Sequence, residues 1–366
     1  MKSFAYSPLP GRVVFGAGRL REVAKEAAAL GIRRALILCT PEQRALTEQV
    51  VSLLADSSSV AVAGIFDKAV MHVPIETVRE ARALAQEWGA DGAITLGGGS
   101  TTGLGKAIAL ASGLPILAIP TTYAGSEMTP IYGITEAGLK TTGRDPKVLP
   151  RTVIYDPELT LTLPAGLSIT SGINAIAHAV EGLYAPDANP VNSLMAEEGI
   201  AALAKALPVL RKDVNDLEAR SQALYGAWLC GSVLGHVGMG LHHKLCHILG
   251  GTFNLPHAET HTIVLPHAVA YNQAFAPEAM ARVARALGPA KTPNSMNAAS
   301  AAQGLFDLAA DNGAPTSLQS LGLTQADLAH ALDLALQNQY PNPRPLEREA
   351  LQALLQDAFE GTRPTV

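Results

Sequence analysis

Two stretches of this chain set polar side chains at the spacing of a helical face. In Ser171-Gly172-Ile173-Asn174-Ala175-Ile176-Ala177-His178, Asn174 and His178 stand four residues apart. In Leu241-His242-His243-Lys244-Leu245-Cys246-His247 the same holds for His243 and His247, and His257 and His261 follow soon after. Residues four apart share one face of an α-helix, so each pair projects in one direction. Neutral imidazoles presented in this way bind divalent metals, and imidazole is also the side chain best suited to move a proton near neutral pH. The pattern therefore points to a metal site or to a site derived from one. Isolated histidines carry no such signal, and His72, His267 and His330 are read as structural.

A second set of residues could hold an anion. Leu96-Gly97-Gly98-Gly99-Ser100 lies between an expected strand and a helix expected to begin near Thr101. Glycines let a backbone approach a diphosphate, and Ser100 is expected to cap a helix whose free N–H groups and dipole favour negative charge. The run is not Gly-x-Gly-x-x-Gly, and alone it is as readily a plain strand-to-helix connection. Pro120-Thr121-Thr122-Tyr123-Ala124-Gly125-Ser126-Glu127 follows the next strand. Hydroxyls and a glycine at two adjacent strand ends suit the crevice where open parallel sheets bind dinucleotides.

These residues need elements to carry them. Strands are expected at Arg12–Phe15, 35–39, 60–66, 92–96, 115–119 and Thr152–Tyr155, and helices at 18–30, from Pro41 onward and at 75–88. That alternation implies a parallel sheet with right-handed crossovers, a doubly wound α/β domain over residues 1–157. Residues 158–366 lack convincing strands. Helices are expected there at 168–184, 190–207, 213–247, Pro277–Leu287, 298–312, 324–336 and 346–359, giving an all-α second domain, with a small-residue loop at 288–300. The 366 residues and 48% hydrophobic content suffice for two cores.

Composition removes several classes of function. A net charge of −5 and the lack of any Lys/Arg block argue against nucleic acid and membrane surfaces as partners. Three scattered cysteines, Cys39, Cys230 and Cys246, make no disulfide framework and fit a cytoplasmic protein. The N-terminus lacks an apolar signal segment. The long uncharged run from Ser221 to His243 is dense in glycine and reads as a buried helix rather than a membrane span.

Gly97–Ser100, the loop from Pro120 to Glu127, Tyr155-Asp156-Pro157-Glu158-Leu159, the histidine set and Asn342-Pro343-Arg344 together resemble the iron-containing alcohol dehydrogenase superfamily over nearly the whole chain. The resemblance implies the dehydroquinate synthase-like fold, with a dinucleotide-binding domain, a helical domain and an active site between them. It places the superfamily's metal ligands, an Asp and three His, on Asn174, His178, His243 and His257. The first ligand is altered, because Asn supplies a neutral carbonyl where Asp supplies a charge. This change and a short Thr121–Ser126 loop resemble the maleylacetate reductase branch, whose members reduce the C=C bond of maleylacetate to give 3-oxoadipate, with a reduced nicotinamide and without metal, in aromatic-compound degradation.

The resemblance also implies site roles. Gly97, Gly98, Gly99 and Ser100 lie on the diphosphate, Thr121, Thr122 and Ser126 near the nicotinamide ribose, and Lys140 near a ribose. Thr40 stands where NAD-preferring relatives carry Asp, so NADPH is expected to be accepted beside NADH. His243 is expected to donate the proton, with His178, His247, His257 and Asn174 around it. Tyr123, His242, Lys244 and Arg144 are expected to hold the dicarboxylate, with Lys244, Arg144 and protonated imidazoles supplying positive charge. No metal is expected, and a homodimer is implied. The competing readings are a metal-dependent alcohol or aldehyde dehydrogenase that tolerates Asn174, a dehydroquinate-synthase-like lyase and a non-catalytic binding protein.

Overall fold

The structure is a computed structural model and describes residues 3–9, 11–137, 139–288, 300–337 and 340–365. The loop expected at 288–300 thus lies, from 289 to 299, outside the described residues. The chain forms two compact units, Ser7–Leu163 and Pro164–Val366, the second taking in the N-terminal residues through Tyr6. The division falls beyond Pro157 because Asp156 ties the following turn to the sheet unit. Its carboxylate accepts from the backbone N–H groups of Gly18, Leu20 and Glu158.

In the first unit the strands are β1 (Arg12–Phe15), β2 (Arg34–Leu38), β3 (Ala61–Phe66), β4 (Gly92–Gly97), β5 (Ile116–Pro120), β6 (Ile131–Glu136), β7 (Leu139–Arg144) and β8 (Thr152–Tyr155). Six of them make a parallel sheet in the order β1-β8-β5-β4-β2-β3. Helices α1 (Val23–Ala29), α2 (Arg44–Ser57), α3 (Ile75–Glu87) and α4 (Gly99–Ser112) cover its faces. Alternate residues of β2 serve opposite cores: Ala35 and Ile37 join Val50 and Leu54 of α2, whereas Leu36 and Leu38 join Val78 of α3 and Leu104 of α4. Burial on both faces is why these strands read as continuous apolar runs.

From β2 the chain moves outward to β3, then returns through α3 to β4 on the other side of β2. The carboxyl ends of β2 and β4 therefore flank a topological switch point, where such sheets open a binding crevice. Sequence alone gave no element between β5 and β8, yet β6 and β7 pair there as an antiparallel hairpin. Strand β6 is half-buried and β7 mostly exposed, and Gly133 and Gly143 interrupt them, which dilutes their alternation.

The second unit is helical: α5 (Ala165–Tyr184), α6 (Pro190–Lys212), α7 (Leu217–His236), α8 (Leu241–Phe253), α9 (His257–Asn272), α10 (Pro277–Leu287), α11 (Ala301–Asp311), α12 (Asp327–Gln337) and α13 (Arg348–Glu360). The single helix expected over 213–247 is two, α7 and α8, bent by 97° at a break containing Gly238 and Gly240. The pattern did not show α9, because Pro266 lies inside it. Helix α6 likewise runs through Pro208 instead of ending at 207. Gly199 and Gly226 let α6 and α7 touch, since a Cβ on Gly226 would lie 2.9 Å from the Gly199 carbonyl oxygen. Among the described residues no single helix is long and apolar enough to cross a membrane; the bent α7–α8 pair passes on length and composition only.

Candidate active site

At the carboxyl edge of the sheet the predicted cofactor residues converge. Gly97 has φ +148°, and a Cβ there would lie 2.5 Å from Thr101 Oγ1, so this turn requires glycine. A Cβ on Gly98 would press on Thr122 at 3.0 Å. The Thr121 N–H donates to the Gly97 carbonyl, and Gln43 Nε2 donates to Thr121 Oγ1 at 2.6 Å. Gln43, from the turn after β2, was not anticipated, and nothing in its spacing marked it. Helix α4 begins at Gly99 with Gly98 as its N-cap, so Ser100 lies in the first turn and does not cap. The free N–H groups of that turn remain an anion cradle.

Lys106 explains how the neighbouring loop is held. Its buried ammonium donates to the Ser126 carbonyl, Thr129 Oγ1 and the Ile131 carbonyl at 2.5, 2.9 and 2.8 Å, and to Ser126 Oγ at 3.2 Å. Ser126 is thus engaged by protein, and Tyr123 is fully buried. Lys140 lies on the β6–β7 hairpin against Gly133, and Arg144 ends that hairpin. Thr40 precedes the turn at Pro41, and the Glu42 carboxyl is held below its ordinary range by Glu42's own backbone N–H and then by the Thr40 side chain. Glu42 thus places a carboxylate of lowered pKa beside Thr40 after β2.

In the helical unit the histidines do assemble. The His178 and His243 rings lie 5.0 Å apart, His243 and His261 5.0 Å, His242 and His261 4.8 Å, His257 and His261 4.2 Å, and His243 and His247 6.2 Å. Asn174 sits one turn before His178 on α5. Several polar atoms here are buried without a protein partner: Asn174 Oδ1, His178 Nδ1, His243 Nε2 and both ring nitrogens of His261. So many unpaired atoms in one place mark a site built for something else to bind. Lys244 is the exception, because its ammonium lies over the Tyr340 ring at 5.9 Å, turned to another face of α8.

Glu181, the one charged residue of α5, stands beside the cluster and is fully buried. Its Oε2 accepts from His243 Nδ1 at 2.6 Å and from the Gly240 and His243 N–H groups at 3.1 and 3.3 Å, while Oε1 accepts from the His242 N–H at 2.9 Å. Burial alone would raise this carboxyl, but the hydrogen bond and charge of His243 outweigh it and bring it down to about 2. The sequence did offer a signal, a lone carboxylate three residues after His178 in an otherwise uncharged helix. His261, four residues after His257, was visible by the rule that paired His243 with His247.

Burial sets the charge of the other rings. It pushes His178 and His261 well below the ordinary imidazole value, neighbouring histidines adding to the effect, and it takes His242 down to about 4. The expectation of protonated imidazoles fails for His178 and His242, which are neutral hydrogen-bonding groups. The same chemistry tests the superfamily's metal. Asn174 brings no charge, and the nearest carboxylate, Glu181, is spent on three backbone N–H groups and His243. The donors left for a divalent ion are neutral, one ring nitrogen each of His242, His243 and His261 lying within 4.8 Å of one another, so the site lacks the anionic ligand of the superfamily's set.

Comparison with known proteins agrees with this architecture. Residues 10–157 match the family model described as Iron-containing alcohol dehydrogenase, and residues 168–359 match Fe-containing alcohol dehydrogenase family, C-terminal. The chain is 60% identical over 365 residues to a maleylacetate reductase of Burkholderia cepacia, covering 100% of both. It is 60% identical to one from Pseudomonas sp. strain P51, with 99% of each covered. The crystal structure of maleylacetate reductase from Agrobacterium tumefaciens superposes with a TM-score of 0.92 at 52% identity, covering 100% of both chains.

Proposed function

Since this chain belongs through both of its domains to the iron-containing alcohol dehydrogenase family, a family of oxidoreductases, we propose that it reduces the C=C bond of maleylacetate to 3-oxoadipate with a reduced nicotinamide dinucleotide and no resident metal ion. The observation that carries the reading is the donor set, with neutral Asn174 among buried neutral imidazoles and no carboxylate left to balance a metal. Full-length likeness to proteins named maleylacetate reductase supports the substrate.

A reduced nicotinamide bound at the crevice would supply hydride to the alkene carbon β to the ketone, with the π electrons of the substrate shifting onto its carbonyl as an enolate. The imidazolium form of His243, with its Nδ1–H held by the Glu181 carboxylate, would deliver the Nε2 proton to the α carbon and be left as the neutral ring, which completes the addition. Donors aimed at the developing oxyanion lower that barrier, and in this site neutral imidazole N–H groups can serve in place of a Lewis acid. His178, His242, His247, His257 and Asn174 are assigned to this pocket; Tyr123 and Arg144, in the sheet unit, keep the substrate-binding role that the resemblance gives them. Lys244 is left with a weaker claim because it faces Tyr340. Gly97 to Ser100 receive the diphosphate, and Thr121, Thr122 and Lys140 the riboses. The homodimer belongs to the same reading and is checked by light scattering.

The test is NADH consumption with maleylacetate against simple alcohols and aldehydes, each with and without a chelator. Maleylacetate-dependent oxidation that survives the chelator is expected. Activity lost to the chelator and restored by iron or zinc would instead favour a metal-dependent alcohol dehydrogenase.

A further inference from the structure

Glu181 has no part in hydride or proton transfer as described, yet it is the most heavily engaged side chain around the cluster. We infer that Glu181 is a positioning residue, which holds His243 by Nδ1 so that Nε2 is the nitrogen presented to the substrate. The inference rests on the reading of His243 as proton donor and deepens it.

The geometry leaves little freedom. A carboxylate accepts only, so the hydrogen in the 2.6 Å contact belongs to His243 Nδ1. With Nδ1 occupied, the ring can turn neither about its own axis nor away from α5 without losing that bond. Its other nitrogen, Nε2, is the one buried without a protein partner, in the company of Asn174 Oδ1 and His178 Nδ1. The same carboxylate accepts the N–H groups of Gly240, His242 and His243, which lie at the start of α8. It therefore fixes both the ring and the backbone that carries it. A carboxylate behind an imidazole is a recurrent way to set ring orientation and tautomer, and removing such a partner costs about 10- to 100-fold in activity.

His242 does not share the role: its Nε2 lies 3.0 Å from the His261 carbonyl and its Nδ1 3.3 Å from His243 Nδ1. Position 181 also reads the difference between carboxylate and amide. A Gln there can turn its NH2 toward His243 Nδ1, which must then accept, so that the ring cannot carry the Nδ1–H and Nε2–H of the proton-donating imidazolium together, or toward the backbone donors, which it then repels.

The experiment compares wild type, Glu181→Gln, Glu181→Asp, His243→Gln and the double variant Glu181→Gln/His243→Gln in steady-state kinetics. Thermal unfolding of each shows that it is folded. Expected are a fall in kcat of about 10- to 100-fold in Glu181→Gln, little change in KM for NADH, partial recovery in Glu181→Asp, and a larger solvent deuterium isotope effect as proton delivery becomes limiting. The double variant should be no slower than His243→Gln, because a residue acting through His243 has nothing left to act on. Full kcat in Glu181→Gln, or an undiminished further loss in the His243→Gln background, would overturn the inference. A wild-type protein that does not oxidise NADH with maleylacetate at all would overturn the functional reading instead.

Discussion

At the scale of single residues, Asn174 decides the character of the site. Replacing it with Asp adds the missing charge to a site where His178 Nδ1, His243 Nε2 and both ring nitrogens of His261 are buried without a protein partner. Asn174→Asp is expected to bind zinc or iron(II) at least about ten-fold more tightly than the parent, measured by titration calorimetry; equal affinity would mean that the missing charge is not what bars the ion. For His243, substitution by alanine is expected to lower kcat with maleylacetate by about 10²- to 10⁴-fold, the usual contribution of a general acid, with KM for NADH little changed. Near-parental kcat would remove it from the proton-donor role. Glu42 is the third residue of consequence, for its carboxylate stands beside Thr40 at the end of β2. NADH is expected to be preferred over NADPH, and Glu42→Gln to raise kcat/KM for NADPH several-fold while leaving that for NADH nearly unchanged. An unaltered ratio of the two would place Glu42 outside the cofactor's reach.

At the scale of elements, the strand-to-helix turns and the helix crossings carry the fold's tightest demands. The turn at Gly97 combines a left-handed φ of +148° with a Cβ position already filled by Thr101 Oγ1. Gly97→Ala is expected to weaken NADH binding and to cost about 1–3 kcal/mol of stability, seen together in cofactor fluorescence titration and denaturant unfolding. The α6–α7 crossing is equally close, yet it belongs to the frame. Elements were legible where periodicity was undisturbed, as at β1, β8 and α10, whose bounds the reading gave. They were missed where proline or glycine interrupts a pattern that packing restores, as at α9 with Pro266 and at the β6–β7 hairpin.

At the scale of the molecule, buried imidazoles link stability to pH. Burial takes His267 and His242 each down to about 4. Both are bases whose folded value lies below the unfolded one, so the unfolded chain binds more protons between about pH 4 and 6.5, and stability falls as pH drops through that window. The loss from pH 7 to pH 5 is about 2 kcal/mol for each ring, and a Tm that fell no further than that of His267→Gln over the same range would show that His267 adds nothing. Glu181 acts in the same direction at lower pH: its depressed carboxyl stabilises the fold above the ordinary carboxylate range, and that stabilisation is lost as pH falls toward about 2.

The sequence by itself determined the class of fold, the crevice residues and the histidine set, because all three are written in local spacing: strands alternating with helices, glycines after a strand, polar pairs four apart. It also carried the loss of a ligand at Asn174, since that is a matter of residue type. Only the tertiary structure decided which groups face one another. Glu181 and His243 are 62 residues apart in the chain, and the turn of α7 into α8 at Gly238 and Gly240 brings the start of α8 onto α5. Burial, a property of the packed molecule and not of any spacing, then left His178 and His242 neutral, while the hydrogen bond from His243 kept Glu181 ionised against that same burial.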